Sequence, residues 1–428
     1  MRAEIKERIE KIKKGEIPEG YKKTTVGIIP IVWNVKSLGD IIIKSEYGSS
    51  EPTNDSSGIP VLRMGNLLNG KISTKNLVYM QLTDDDLNRY RLENGDLLIN
   101  RTNSYDLVGK VALFELEGDY ICASYLVRFI INKEYADSKL VSYYMNLDNS
   151  QKYIKSLATK AIQQANINPT VLKKHFKLPL SSDISEQQRI SAILSTWDKA
   201  IEIKEKLIEK KKEQKRGLMQ ALLIGTVRLP GFEGEWNEVK LGNVSKMNSG
   251  GTPNSSTAEY FNGNIPWVSI ADMTKNGKYI INTDRCISEL GLENSSAKVF
   301  PQGTVLYAMY ASIGECSIAK IELCSSQAIL GIRPKSNLNN EFLYYYLISI
   351  KEKLKLQGQQ GTQSNLNADM VKKLSIFIPS LEEQLAIVEI FLKIDQSIDL
   401  LEQELSAIKL QKKGLMQLLL TGIVRVPN

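Results

Sequence analysis

The segment KRGLMQALLIGTVRLP, Lys215 to Pro230, returns at the end of the chain as KKGLMQLLLTGIVRVP, Lys412 to Pro427. Residue 414 minus residue 217 gives an offset of 197, and the same offset relates Glu186 to Glu383, Asp198 to Asp395 and Ile201 to Ile398. An offset held constant from Glu186 to Pro230 marks an internal repeat. A repeat restricts the fold more than any local pattern does, because both copies must satisfy one framework.

The repeat reaches toward the front of each half. WNVKSLGDI (Trp33 to Ile41) answers WNEVKLGNV (Trp236 to Val244), each after a proline segment, so a domain begins at each. GIPVLRMGNL answers NIPWVSIADM, and ENGDLLIN answers PQGTVLYA. The offset has grown there, which places length differences in loops and leaves the framework intact. KVALFEL, YLVRFII, SIAKI and AILGIRP, bounded by Gly and Asn, read as strands. LVSYYMNL and FLYYYLIS read as helices, with Tyr344 to Tyr346 as core packing.

Each half closes in a long helix. Ile387, Phe391, Ile394, Ile398, Leu401, Leu405 and Ile408 follow alternating steps of four and three, a coiled-coil seam. In the first copy the frame reads Ile190, Leu194, Trp197, Ile201, Lys204 and Ile208, with one lysine interrupting it. A lone helix of this kind would leave its stripe wet, whereas two copies can cover each other. The expected fold class is mixed α/β: two pseudo-symmetric domains separated by a long antiparallel two-helix coiled coil. The expected boundaries are 1–180 with an N-terminal helix (Ile5 to Lys14), 181–228, 229–380 and 381–428.

Composition narrows the function. No apolar run is long enough to span a bilayer and the N-terminus MRAEIKERIEKIKKGE is charged, which argues for the cytoplasm. Cys122, Cys286, Cys316 and Cys324 lack CxxC spacing and read as buried free thiols; the single histidine, His175, reads as a surface or strand-edge residue. Neither a metal site nor a cofactor is expected. A net charge of +7 permits nucleic-acid binding without requiring it. The chain contains no GxxxxGK[ST] and no GxGxxG, and SGGTPNSS (Ser249 to Ser256) lacks the lysine of a phosphate loop. No Asn-Pro-Pro-aromatic or Pro-Asp motif occurs, so no catalytic residue is assigned and the chain is read as no enzyme by itself.

In order, and twice over, the chain carries WNVKSLG, GDLLINR, LPLSSDISEQQRI and KRGLMQALLIGTVR, then WNEVKLG, the GTPNSS loop, IPSLEEQLAIV and KKGLMQLLLTGIVR. This series resembles the specificity (S) subunits of type I restriction-modification systems, over essentially the whole chain. The resemblance implies two target-recognition domains, each reading one half of a split double-stranded DNA site. It also implies two docked methyltransferase (M) subunits and, through the complex, restriction (R) subunits. Rival readings are a recognition subunit serving a methyltransferase alone, a coiled-coil scaffold that binds no DNA, and an unrecognised nuclease.

Residues that read bases should be polar, on loops, and held by strands. In the first half these are Arg63, Asn66, Arg101, Thr102, Asn103, Tyr105, Lys110 and Gln164. In the second they are Thr252, Asn254, Ser269, Asp272, Tyr310, Ser312, Gln363 and Asn365. Arg101 suits guanine and Asn103 adenine. Arg63 and Asn66 correspond to Ser269 and Asp272, and YASIGE, the counterpart of RTNSYDLVGK, is shorter and lacks the arginine. A common frame with different polar residues predicts unlike half-sites and an asymmetric target. Gln164 and Asn166 align with Gln363 and Asn365, and shared residues suit backbone contact or helix capping.

Overall fold

The computed structural model describes residues 3–54, 56–160, 164–310, 312–354 and 366–426. The chain divides into two compact units, Met1–Ile203 with Glu404–Asn428, and Lys204–Gln403.

Unit 1 is built on a four-stranded antiparallel sheet. Its strands are β1 (Ile42–Tyr47), β2 (Leu97–Asn100), β3 (Val111–Leu113) and β4 (Leu126–Ile131), in the order β3-β2-β4-β1. The period of two along each strand sorts the side chains into two cores. Leu97, Ile99, Val111, Val127 and Phe129 face one cluster, which includes Trp33 and helix α1 residues Leu140 and Val141 (α1, Ser138–Met145). Leu98, Ala112 and Leu126 face the other, with Leu62, Phe114 and Cys122. Both sheet faces are covered, which explains why these strands read as unbroken apolar runs.

The same design recurs in unit 2. Its strands β5 (Ser245–Ser249), β6 (Val305–Ala308), β7 (Cys316–Ala319) and β8 (Ile329–Pro334) lie in the order β5-β8-β6-β7, and a fifth short strand, Tyr279–Ile280, pairs parallel with β7 at the edge. Val305, Tyr307, Ile318, Leu330 and Ile332 enter one core while Leu306, Ala308, Ala319 and Ile329 enter another. Tyr345 and Tyr346 are buried, as packing requires. Cys122, Cys316 and Cys324 are buried thiols, Cys286 is half-buried and His175 is exposed at a helix end.

The long helices are α2 (Ile184–Leu222) and α3 (Leu381–Leu420). Each is shared: the first turns of α2 and the last turns of α3 belong to unit 1, and the reverse holds in unit 2. Within each unit the two segments run antiparallel. In unit 1, Lys412 pairs with Asp198 at 2.8 Å; in unit 2, Lys215 pairs with Asp395 at 2.5 Å and Lys212 with Glu402 at 2.7 Å. Seam residues Ile190, Leu194, Ile208, Ile387, Phe391 and Ile398 are buried, and Lys204 is half-buried at its seam position. A lysine can lay its methylene stem along such a seam and keep its ammonium wet.

The repeated Trp, Glu-Gln and Arg meet in a polar clamp in each unit. In unit 1, Glu186 accepts hydrogen bonds from Arg425 Nε (2.5 Å) and Nη2 (2.8 Å), Trp33 Nε1 (3.1 Å) and Ser181 Oγ (2.6 Å). In unit 2, Glu383 accepts from Arg228 Nε (2.7 Å) and Nη2 (2.8 Å) and from Trp236 Nε1 (3.2 Å). Beside it, Gln187 takes the Asp137 amide and donates to Ser181 O; Gln384 takes the Asn339 amide and donates to Pro379 O. Burial raises the Glu186 carboxyl, but the bonds from Arg425, Ser181 and Trp33 outweigh it and hold the group below the ordinary value of 4.5. The N-terminal helix, Ala3–Lys13, is tied to the returning chain end by Arg8 Nη1 donating to Ile423 O (2.7 Å).

Candidate nucleic-acid interface

Where β2 ends, the chain leaves the sheet in a loop whose base is closed by backbone bonds. The Gly109 amide donates to Asn100 O (2.8 Å), and the Asn100 amide donates to Lys110 O (2.9 Å). The buried Asn100 side chain adds Nδ2 to Leu107 O at 3.2 Å. Arg101, the first loop residue, is clamped on both sides, its amide donating to Tyr125 O (3.1 Å) and its carbonyl accepting from Ile167 N (2.8 Å).

Unit 2 repeats the backbone bonds of this frame, with Ala308 in the place of Asn100. Gly314 N donates to Ala308 O, Ala308 N to Glu315 O, Met309 N to Ala328 O and Leu366 N to Met309 O. Met309 therefore stands where Arg101 stands, and the unit 2 loop is shorter. The hydrogen bonds match Lys110 with Glu315, as the pairing of RTNSYDLVGK with YASIGE expects, but set Met309, one residue before that segment, against Arg101.

The unit 1 loop presents cations and aromatic rings together. The Arg101 guanidinium lies over the Tyr47 ring, with Cζ 4.9 Å from its centroid, and Nε donates to Asn166 Oδ1 at 3.4 Å. Thr102 and Asn103 form a short strand paired with Ala165–Asn166, which pairs in turn with Thr159–Lys160. Lys160 Nζ sits 3.9 Å from the centroid of the exposed Tyr105 ring. Gln164 is exposed at the edge of this small sheet. Such mixtures suit phosphates and base faces at once. Of the two roles expected for Asn166, helix capping falls to Asn168 instead, whose Oδ1 accepts from Thr170 N.

Other expected readers are placed differently. Asn66 is buried: Oδ1 accepts from the Arg63 amide, and Nδ2 donates to Ser73 O and Lys75 O. Asp272 is its counterpart, buried and accepting from the amides of Ser269 and Asp284 and from Ser269 Oγ. Both carboxamide and carboxylate are spent on shaping a turn, so they support the surface and do not reach a base. Arg63, at the start of that turn, is exposed and donates through Nη2 to Asn76 O at 3.1 Å; Ser269 holds the same place in unit 2. Asn103 is turned into its own loop, with Oδ1 accepting from Ser104 N and Nδ2 donating to Met64 Sδ. Lys110 lines a cleft of about 660 Å³ with Asp106, Tyr143 and Lys155.

In unit 2, Thr252 and Asn254 are exposed, and Asn254 Oδ1 folds back onto Ser256 N and Oγ. Tyr310 and Ser312 are half-exposed on the short loop. Gln363 and Asn365 lie outside the described residues. The glycine pair before Thr252 is required by packing, because a Cβ on Gly251 would stand 2.2 Å from the Ala297 amide nitrogen. Sequence reasoning missed Tyr47 and Tyr125, which become neighbours of Arg101 only through the register of three strands. Among the described residues no cluster of His, Cys, Asp and Glu is arranged to hold a metal ion, and no helix is long and apolar enough to cross a membrane.

Comparison with known proteins agrees with this organisation. The type I restriction modification DNA specificity domain matches residues 30–212 and again 233–410. A chain of Methanocaldococcus jannaschii, named provisionally as the MjaX specificity subunit of a type I restriction enzyme, is 31% identical over 423 residues, covering 95% of this chain and 97% of its own. Among solved structures, a chain from work on assembly and conformational transition of the type I R-M system superposes with a TM-score of 0.61 at 18% identity, covering 92% of this chain and 99% of its own. The type I restriction-modification S subunit from M. genitalium gives 0.56 at 16% identity, covering 91% of this chain and 96% of its own. Those two likenesses concern the fold.

Proposed function

Since the chain belongs to the type I restriction modification DNA specificity family and is the DNA-specificity subunit of such a system, we propose that its two units read the two halves of an asymmetric bipartite site. The observation that carries this is the loop frame of Asn100 to Lys110 repeated at Ala308 to Glu315 with different residues standing on it. Folding alone would be served by like residues on like frames; unlike exposed residues on a shared frame serve unlike ligands. In this reading Arg63, Arg101, Thr102, Tyr105 and Gln164 face the first half-site. Thr252, Asn254, Ser269, Tyr310, Ser312, Gln363 and Asn365 serve the second. The subunit itself performs no chemistry. It acts in the cytoplasm and recruits methyltransferase subunits and, through the complex, restriction subunits. The repeated helix ends of α2 and α3 offer two equivalent places for methyltransferase subunits, as pseudo-symmetry requires.

The test is selection from a randomised DNA duplex by the full chain with its methyltransferase subunit. Two unlike, separated half-sites are expected. Binding without sequence preference would overturn the reading in favour of a scaffold, and metal-dependent cutting by the chain alone would favour a nuclease.

A further inference from the structure

The backbone around Arg101 is copied in unit 2, so the side chains upon it can be compared position by position. In the sheet, Val127 pairs with Tyr47 on one side and Ile99 on the other, while Leu330 pairs with Ser249 and Tyr307. Tyr47 therefore corresponds to Ser249. The amide bonds at Arg101 and Met309 equate Tyr125 with Ala328. Unit 1 carries Tyr, Tyr and Arg where unit 2 carries Ser, Ala and Met.

The three unit 1 residues do not complete a core. Tyr47 is 52% exposed and Tyr125 49%, at the ends of adjacent strands, so neither ring is buried in a core. Nor does the shared frame need them, because unit 2 makes the same backbone bonds without them. What they do is local. Tyr47 lies against one face of the guanidinium, and Asn166 Oδ1 accepts from its Nε. With one face and Nε engaged, the remaining edge of the fork bears the two Nη groups, the pair that donates in parallel to O6 and N7 of guanine. A long arginine held in this way loses less rotamer freedom on binding than one waving from a loop.

We infer that Tyr47, with Asn166, is a specificity-determining positioning residue that aims Arg101 at a guanine in the half-site read by unit 1. The half-site read by unit 2 has no equivalent contact, because Met309 and Ser249 stand in its place. This inference rests on the proposed role of unit 1 in reading DNA.

The experiment first selects the preferred duplex with the full wild-type chain and its methyltransferase subunit. Each guanine of the unit 1 half-site is then replaced by 7-deazaguanine, which removes only the N7 acceptor. One replacement is expected to weaken wild-type binding about tenfold or more, the worth of a hydrogen bond from a charged donor. Arg101→Ala should weaken binding to the selected site by about 5- to 150-fold and abolish the response to 7-deazaguanine. Tyr47→Ala should shrink that response while Tyr47→Phe, which keeps the ring, retains it, and Tyr47→Ala in the Arg101→Ala background should add nothing further. Arg101→Lys, which keeps the charge without the fork, should lose discrimination for guanine more than affinity. If the wild type selects a split site whose unit 1 half contains no guanine, or if Arg101→Ala keeps its 7-deazaguanine response, this inference fails while the reading of unit 1 as a DNA-recognition domain stands. If the wild type selects nothing, both fail.

Discussion

Replacing Arg425 by alanine removes two donors from a carboxylate that has little access to water. The Glu186 side chain is 3% exposed, and only Trp33 Nε1 and Ser181 Oγ would remain on it. Cutting one partner of a fully buried ion pair costs about 3 to 5 kcal/mol. Arg425 is itself 37% exposed, so water can enter beside the stranded carboxylate, and a value of about 1.5 to 3 kcal/mol, that of hydrogen bonds to a charged group, is the better expectation. For a unit of this size about 2 to 4 °C of melting temperature accompanies each kcal/mol, giving a drop of about 3 to 12 °C. The loss should be local, since the clamp of unit 2 is a separate copy built from Arg228, Glu383 and Trp236. Hydrogen exchange should quicken in peptides spanning 97–100 and 126–131 and stay unchanged in 305–308 and 329–334. Arg228→Ala should give the mirror result. Equal opening of both sets of strands, or a melting curve identical to wild type, would refute the claim that each clamp closes its own unit.

Arg63→Ala, removing an exposed cation at a turn, should relax or weaken recognition of the first half-site alone by about 1 to 3 kcal/mol, read by competition binding. Asn66→Ala should cost stability of about 1 to 3 kcal/mol by thermal denaturation, because two carbonyls and one amide lose their partner in a buried turn. Gly48→Ala should destabilise unit 1 strongly in the same assay, as its Cβ would stand 2.0 Å from Cys122 O. The Glu186 carboxyl titrates lower when folded than the ordinary value of 4.5, so its contribution is fully present above that pH and is lost as pH falls through the folded value. An acid titration followed by unit 1 exchange should show this loss in wild type and a smaller one in Glu186→Gln.

Much of the architecture was legible because it is written twice. The 197-residue offset locates both long helices, and apolar runs identify the central strands; the heptad steps pick out Ile190, Leu194, Ile208, Ile387, Phe391 and Ile398, which are buried, with the other seam positions half-buried. The sharing of each long helix between two units was not legible from order along the chain, since the ion pairs Asp198 with Lys412 and Lys215 with Asp395 join residues some two hundred positions apart. The surface was legible in its loops and less so in its roles. Asn66 and Asp272 look like readers because a buried turn-forming residue and an exposed reader share a polar side chain in a loop. Tyr47 was invisible for the opposite reason: it ends an ordinary strand, and only pairing through Val127 brings it beside Arg101.

The claim that each unit reads its own half of a split site is tested most directly by mapping methylation across a genome that expresses this chain with its methyltransferase subunit. Wild type and an Arg63→Ala, Arg101→Ala double variant would be compared. The account predicts an asymmetric motif of two separated halves in the wild type, and in the variant a relaxed first half beside an unaltered second. A palindromic or uninterrupted motif, or a variant that changes both halves together, would contradict it.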